Sequence, residues 1–244
     1  MNELTIIYYT CNYLDDHNPY FLFNTRNQLL DAADGLPIVI VSQKPTIFGE
    51  NSTNLCLGDI GRSHLNIYRQ ILEGCKVAKT PFVAMAEDDI LYSREHFHAT
   101  DYYPKGDVFM YDMNKLSLFT WTKPPVFSFR HNRMVVNQLI APRQMLIDAM
   151  EERFARLEVL KAKGIPEEKI IKSWGDPGRY ENLLGVTVRA TDTFMCTCPS
   201  IVFSHEYAYG YEFNQGKHKR LGDLRIIEVP YWGRAEHVLD LYYE

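Results

Sequence analysis

Short apolar runs alternate with segments of helical periodicity along the first half of the chain, and that alternation leaves few possible architectures. Leu4–Tyr9 (LTIIYY), Pro37–Val41 (PIVIV), Phe82–Ala86 (FVAMA) and Val108–Tyr111 (VFMY) are rich in β-branched and aromatic residues and read as buried strands. Asn18-Pro19 supplies a cap and a proline for a first helical position, which predicts a helix running to about Ala33, where Asp34-Gly35 breaks it. Residues 42–61 read as a loop. Ser63 suits an N-cap, and Leu65, Tyr68, Leu72, Cys75 and Ala78 recur at helical spacing, so an amphipathic helix is expected over 64–79. Strands separated by helices in this order imply a single α/β domain with a mostly parallel, Rossmann-like sheet covered on both faces.

The pattern changes after residue 112. Leu116–Thr122, Val126–Phe129 and Val135–Ala141 read as shorter strands suited to antiparallel pairing. A long helix is expected over 143–163, with Leu146, Met150, Phe154 and Leu157 on one face and Gly164 and Pro166 ending it. A loop over Ser173–Tyr180 leads to a short helix near Glu181. Ile201–Ser204 reads as a late strand, closed by His205. The remainder shows little periodicity.

Composition narrows the class further. The 244 residues are 46% hydrophobic and 23% charged, enough for a full core and unlike a disordered chain. A net charge of −5 gives no overall attraction to nucleic acid, although Arg130, His131 and Arg133 with the Lys217–Arg220 run could contact a polyanion locally. The five cysteines are odd in number and not spaced as a disulfide framework; they read as free thiols of a reducing compartment. Cys196 and Cys198 lack a second pair, so no structural zinc is expected. There is neither a signal-like N-terminus nor an apolar run long enough to span a bilayer, and the expectation is a cytoplasmic protein. No G-x-S-x-G or P-loop pattern is present.

The most informative feature is Glu87-Asp88-Asp89 at the end of the third strand. Adjacent carboxylates repel one another, and open α/β sheets bind ligands outside the carboxyl ends of their strands. A divalent cation would neutralise the cluster, and oxygen donors suit Mg²⁺ or Mn²⁺. In an extended segment Glu87 and Asp89 would share a face. An acidic, solvated loop is the competing interpretation of the same residues.

The helix segment RSHLNIYRQILEGCKVA (62–78) followed by PFVAMAEDDI (81–90) resembles the aspartate-x-aspartate region of GT-A glycosyltransferases, family 2 members in particular. The resemblance extends in order of elements over roughly residues 4–205 and implies a GT-A fold. It divides the chain into a nucleotide-sugar-binding half, about 1–112, and an acceptor-binding half, about 113–244. It places Thr10 and Asn12 at the nucleotide base, Glu87 or Asp88 at the ribose side, and Asp89 on the metal. It implies metal-dependent transfer of a sugar from a nucleotide diphosphate, with a UDP-sugar as the leading donor, to an acceptor hydroxyl on a glycan or a modified nucleic-acid base.

An inverting transferase needs a base near the acceptor hydroxyl. WGDPGRYENLLG (174–185) resembles the family's Glu-Asp helix start, with Glu181 at the Glu and Asn182 where the Asp would stand. The base is therefore Glu181 or Asp176, or the enzyme is a retaining one that does without it. His205 lies where many GT-A enzymes carry a late metal ligand. Lys217 and Arg220, flanked by Gly210 and Gly216, could clamp a diphosphate. Two rivals remain: a nucleotidyltransferase on a similar fold, disfavoured because Thr10–Asp16 contains no glycine, and an idle nucleotide- or carbohydrate-binding module, favoured by Asn182.

Overall fold

The structure is a computed structural model, and it describes residues 3–98, 106–129, 134–171, 174–208 and 225–243. Strand β1 (Leu4–Tyr9) is followed by a one-turn helix α1 (Tyr13–His17) and by α2 (Pro19–Ala33). Asn18 caps α2 by accepting from the Phe21 N–H, Pro19 opens it, and Asp34 ends it in a left-handed conformation. Strands β2 (Ile38–Ser42) and β3 (Ser52–Cys56) come next, then α3 (His64–Val77), capped by Ser63, and β4 (Phe82–Ala86). Strand β5 (Ile90–Leu91), helix α4 (Arg94–His98) and strands β6 (Val108–Asp112), β7 (Lys115–Phe119), β8 (Val126–Phe129) and β9 (Leu139–Pro142) lead to the long helix α5 (Arg143–Ala162). Short helices α6 (Glu167–Ile171) and α7 (Glu181–Leu184), strands β10 (Ala190–Phe194), β11 (Ser200–Ser204), β12 (Arg225–Ile226), β13 (Glu228–Val229) and β14 (Gly233–Arg234), and helix α8 (Ala235–Tyr242) complete the order.

Seven strands form the main sheet in the order β10-β6-β9-β4-β1-β2-β3, all parallel except β9, which runs antiparallel to both its neighbours. Strands β1 and β2 are buried along their whole length, as befits central parallel strands covered on both faces. Helix α3 sits close against them because Gly74 carries no side chain: a Cβ there would fall 2.6 Å from Ile7 Cγ2 and 2.8 Å from Val41 Cγ2. A second, mostly antiparallel sheet, β12-β8-β7-β11-β5, packs beside the first. This is an α/β fold with a mostly parallel, Rossmann-like main sheet and a smaller, mostly antiparallel second sheet.

The structure departs from or adds to the sequence pattern at four places. The stretch 42–61 contains β3, an edge strand whose residues are only partly buried and so show no apolar run. Val135–Ala141 is a strand only in its second half: Val136–Gln138 is a 3-10 turn, and β9 then pairs antiparallel, as expected, with β4 and β6 of the main sheet. Strand β10 was missed because its sequence, ATDTF, is largely exposed on the sheet edge. Helix α8 was missed in the aromatic C-terminal segment, although Ala235, Val238 and Leu239 line its buried face.

Candidate functional site

The carboxyl ends of β1 and β4 build the site, and their register determines the pairs. Tyr8 lies opposite Ala86 in the parallel ladder, so the next two residues of each strand face one another. The Tyr9 hydroxyl donates to Glu87 Oε1 at 2.8 Å, and the Thr10 hydroxyl donates to Asp88 Oδ2 at 2.6 Å. Glu87 Oε2 accepts from Asn137 Nδ2 at 2.7 Å. The chain then turns at Asp88-Asp89 rather than continuing as a strand, so the three carboxylates point to three separate sets of partners. The expected alternation of an extended segment does not apply here.

The second sheet brings the histidine. Strand β11 pairs antiparallel with β5, with Val202 opposite Ile90, so residues after β11 meet residues before β5. The Phe203 N–H donates to the Asp89 carbonyl at 2.9 Å, and His205 Nε2 comes within 3.5 Å of Asp89 Oδ2. That approach is within ion-pair reach but lacks hydrogen-bond geometry: both ring nitrogens of His205 and Asp89 Oδ1 are buried without partners. The rings of Phe21, Tyr207 and Tyr243 surround the imidazole with centroids 5.4, 6.1 and 5.7 Å away.

The electrostatics are those of a charge cluster short of counter-charge. Among the described residues no lysine or arginine forms an ion pair with Glu87, Asp88 or Asp89. Burial first, and the neighbouring Asp89 second, push the Glu87 carboxyl up from 4.5 to about 8. The same causes push Asp88 up to about 6, against the opposing pull of the Thr10 hydroxyl. Asp89 Oδ1 and the two ring nitrogens of His205, buried and unpartnered beside two further carboxyl groups, are oxygen and nitrogen donors of the kind that suit a divalent cation such as Mn²⁺ or Mg²⁺.

The other residues named from sequence fall into distinct places. Thr10 is 3% exposed and serves Asp88 while accepting from the Asn12 N–H. Asn12, 2% exposed and at φ 59°, is wholly engaged within the protein. Its Oδ1 accepts from the N–H groups of Gln43 and Lys44, and its Nδ2 donates to Asp15 and Thr46. Its side chain thus ties the β1 end to the segment after β2 and has no donor or acceptor spare for a base. Asp176 has an 18% exposed side chain and accepts from the Tyr68 hydroxyl, the Val136 N–H and Arg179 Nη1. Since Asn137 holds Glu87, adjacent residues of one turn connect Asp176 to the acidic cluster. Glu181 is 4% exposed; its Oε1 takes Arg153 Nη2 at 2.6 Å and the Gly178 N–H. It is neither solvated nor open to a ligand on that oxygen. Lys217 and Arg220, like Arg130, His131 and Arg133, lie outside the described residues.

Several supporting residues escaped the sequence reading. Asn137 and Tyr9 hold Glu87, Tyr92 accepts from the Glu87 N–H while donating to the Asn137 carbonyl, and Thr25 donates to the Asp88 carbonyl. The available signal was a run of polar atoms in otherwise apolar stretches, such as Asn137-Gln138 within VVNQLIAP.

No known protein family and no curated protein matches the chain by sequence. Among solved structures it is similar to TarS 1-349 of S. aureus, at 12% identity over 84% of this chain and 61% of that one, with a TM-score of 0.42. It is similar to a glycosyltransferase involved in the glycosylation of the major capsid of PBCV-1, at 8% identity over 88% and 98% of the two chains, TM-score 0.45. It is also similar to the nucleotidyl transferase Mth528 of Methanothermobacter, at 11% identity over 89% and 98%, TM-score 0.41. Both transferase classes occur among these likenesses, so the chemistry has to be argued from the residues of this chain.

Proposed function

We propose that this chain is a metal-dependent glycosyltransferase that moves a sugar from a nucleotide diphosphate, a UDP-sugar as leading donor, to an acceptor hydroxyl. The observation that carries the reading is the meeting of Asp89 and His205 from different sheets, with Asp89 Oδ1 and both imidazole nitrogens buried and unpartnered beside two further carboxyls. Asp89 and His205 would hold the cation. Mn²⁺ or Mg²⁺ there supplies positive charge against a leaving diphosphate. Glu87, fixed by Tyr9 and Asn137, and Asp88, fixed by Thr10, line the donor side. Thr10 and Asn12 act as positioning residues, and Lys217 and Arg220 are assigned to the diphosphate on charge alone.

For the base we assign Asp176 over Glu181. Its carboxylate reaches solvent and is linked to the acidic cluster through Val136-Asn137. It would take the acceptor hydroxyl proton, with Arg179 and Tyr68 fixing its orientation. Glu181 is given a structural role, closing the charge of buried Arg153.

Incubation with nucleotide-sugars and Mn²⁺, with product identification, tests the reading. Release of a nucleoside diphosphate that requires metal supports glycosyl transfer. Release of pyrophosphate from a nucleoside triphosphate and a sugar phosphate points instead to nucleotidyl transfer, and neither product points to an idle binding module.

A further inference from the structure

A second set of ligating side chains converges away from the acidic cluster. His96 comes from α4, Asp112 closes β6 and Cys196 follows β10, and they are 0%, 0% and 2% exposed. One ligand atom from each lies within 4.8 Å of the others. His96 Nδ1 and Asp112 Oδ2 are 3.1 Å apart. The other carboxylate oxygen accepts from the N–H groups of Asn114 and Cys196 at 2.9 and 3.3 Å. Among the described residues Nε2 of His96 is buried without a partner, and the ring's hydrogen-bonding contact is with Asp112. The rings of Tyr92, Phe97 and Phe194 hold the imidazole in place.

We propose that His96, Asp112 and Cys196 form a second metal site, which binds a zinc ion through three protein ligands. Sulfur, nitrogen and oxygen together are a zinc donor set, unlike the sulfur-free trio of Glu87, Asp88 and Asp89. The charges close as well: one thiolate, one carboxylate and a neutral imidazole cancel a dication, leaving a neutral assembly in a dry interior. Without the ion, burial and the Asp112 carboxylate push the Cys196 thiol far up, so it stays protonated. On coordination the thiol proton leaves to solvent, while the neutral imidazole keeps its one proton on the ring nitrogen that does not bind the ion. Cys198 is not one of the converging ligands; its Sγ lies 3.8 Å from the Pro199 carbonyl. The ion would join three segments distant in sequence: α4, the β6–β7 turn and the β10–β11 connection. Direct hydrogen bonds already run among all three, from Met113 N–H to the Phe194 carbonyl at 2.8 Å, from Asn114 Nδ2 to the Cys196 carbonyl at 2.7 Å, and from Thr197 N–H to Glu95 Oε2 of α4 at 2.7 Å.

Cobalt titration of the full chain after chelator treatment tests the site, because a thiolate bound to Co²⁺ gives a charge-transfer band that oxygen and nitrogen ligands do not. The band should saturate at one equivalent in the wild type and persist in Cys11→Ala, Cys198→Ala and Asp89→Asn. It should vanish in Cys196→Ala and fall in His96→Gln. Zinc should raise the Tm of the Asp89→Asn variant, in which the acidic cluster is disabled. No band in the wild type, or a band that follows Cys11 or Cys198, overturns the proposal, and the wild-type result stands even if Cys196→Ala fails to fold. These readouts do not depend on transferase activity, so they can fail or succeed apart from the reading of the acidic cluster.

Discussion

Glu87→Gln is expected to stabilise the metal-free protein by an amount that grows as pH rises above 4.5. In the unfolded chain Glu87 titrates near its ordinary 4.5, whereas burial and Asp89 lift it to about 8 in the fold. Between these values the folded state holds a proton that the unfolded state has released, so wild-type stability falls as pH rises. Below 4.5 both states are protonated and the penalty is absent; by pH 8 nearly all of it is present. At 1.36 kcal/mol per pH unit, lifting the group from 4.5 to about 8 is worth about 5 kcal/mol. Glutamine never ionises, and the local hydrogen bonds can be kept. The Tyr9 hydroxyl still donates to the side-chain oxygen, and Asn137 can turn its amide to offer Oδ1, which now has no partner, to the new NH₂ group. For a chain of this length each kcal/mol moves Tm by about 2–4 °C. Thermal unfolding in EDTA should therefore show a variant more stable than wild type by about 10–20 °C at pH 8, with the gap closing toward pH 4.5. Saturating Mn²⁺ should narrow the gap at pH 8 by offsetting the wild-type charge. A gap that stays constant with pH, or a wild type that gains stability over the variant from pH 5 to 8, would refute the argument.

Asp89→Asn should abolish the stabilisation by Mn²⁺ and metal-dependent donor binding while leaving the fold intact; calorimetric titration with Mn²⁺ checks it, and an unchanged affinity would count against Asp89 as a ligand. Asp176→Asn should lower turnover by about 10²–10⁴-fold with donor affinity retained, as expected for loss of a base; near wild-type turnover would return the role to another group or to a retaining mechanism. Glu181→Gln should instead act on stability, costing about 3–5 kcal/mol in denaturant unfolding because it leaves Arg153 buried without its charge partner. Asn12→Ala removes four hydrogen bonds at a buried left-handed position and should cost about 3 kcal/mol, with no selective effect on nucleotide affinity in the fraction that folds.

The linear order of residues fixed those parts of this protein that local physics governs. Strands β1, β2 and β4 are largely apolar runs, and Asn18-Pro19 and Ser63 are caps whose side chains act on N–H groups three residues ahead; each is legible because cause and effect lie within one turn. The acidic triplet was visible for the same reason: three adjacent charges at the end of an apolar strand are anomalous before any contact is known. The sequence pattern marks β9 as a short strand suited to antiparallel pairing, but only its partners on either side decide that it inserts between β4 and β6. The roles of Asp176 and Glu181, five residues apart, could not be separated in sequence; the burial of Arg153 against Glu181, and the proximity of Asp176 to Val136, depend on how α5 and the turn before β9 pack. The meeting of His205 with Asp89, and of His96 and Asp112 with Cys196, likewise exists only once separate strands have paired in register. Burial is a property of that packing, and it turns these carboxyl groups from solvated charges into groups that hold protons or call for a cation.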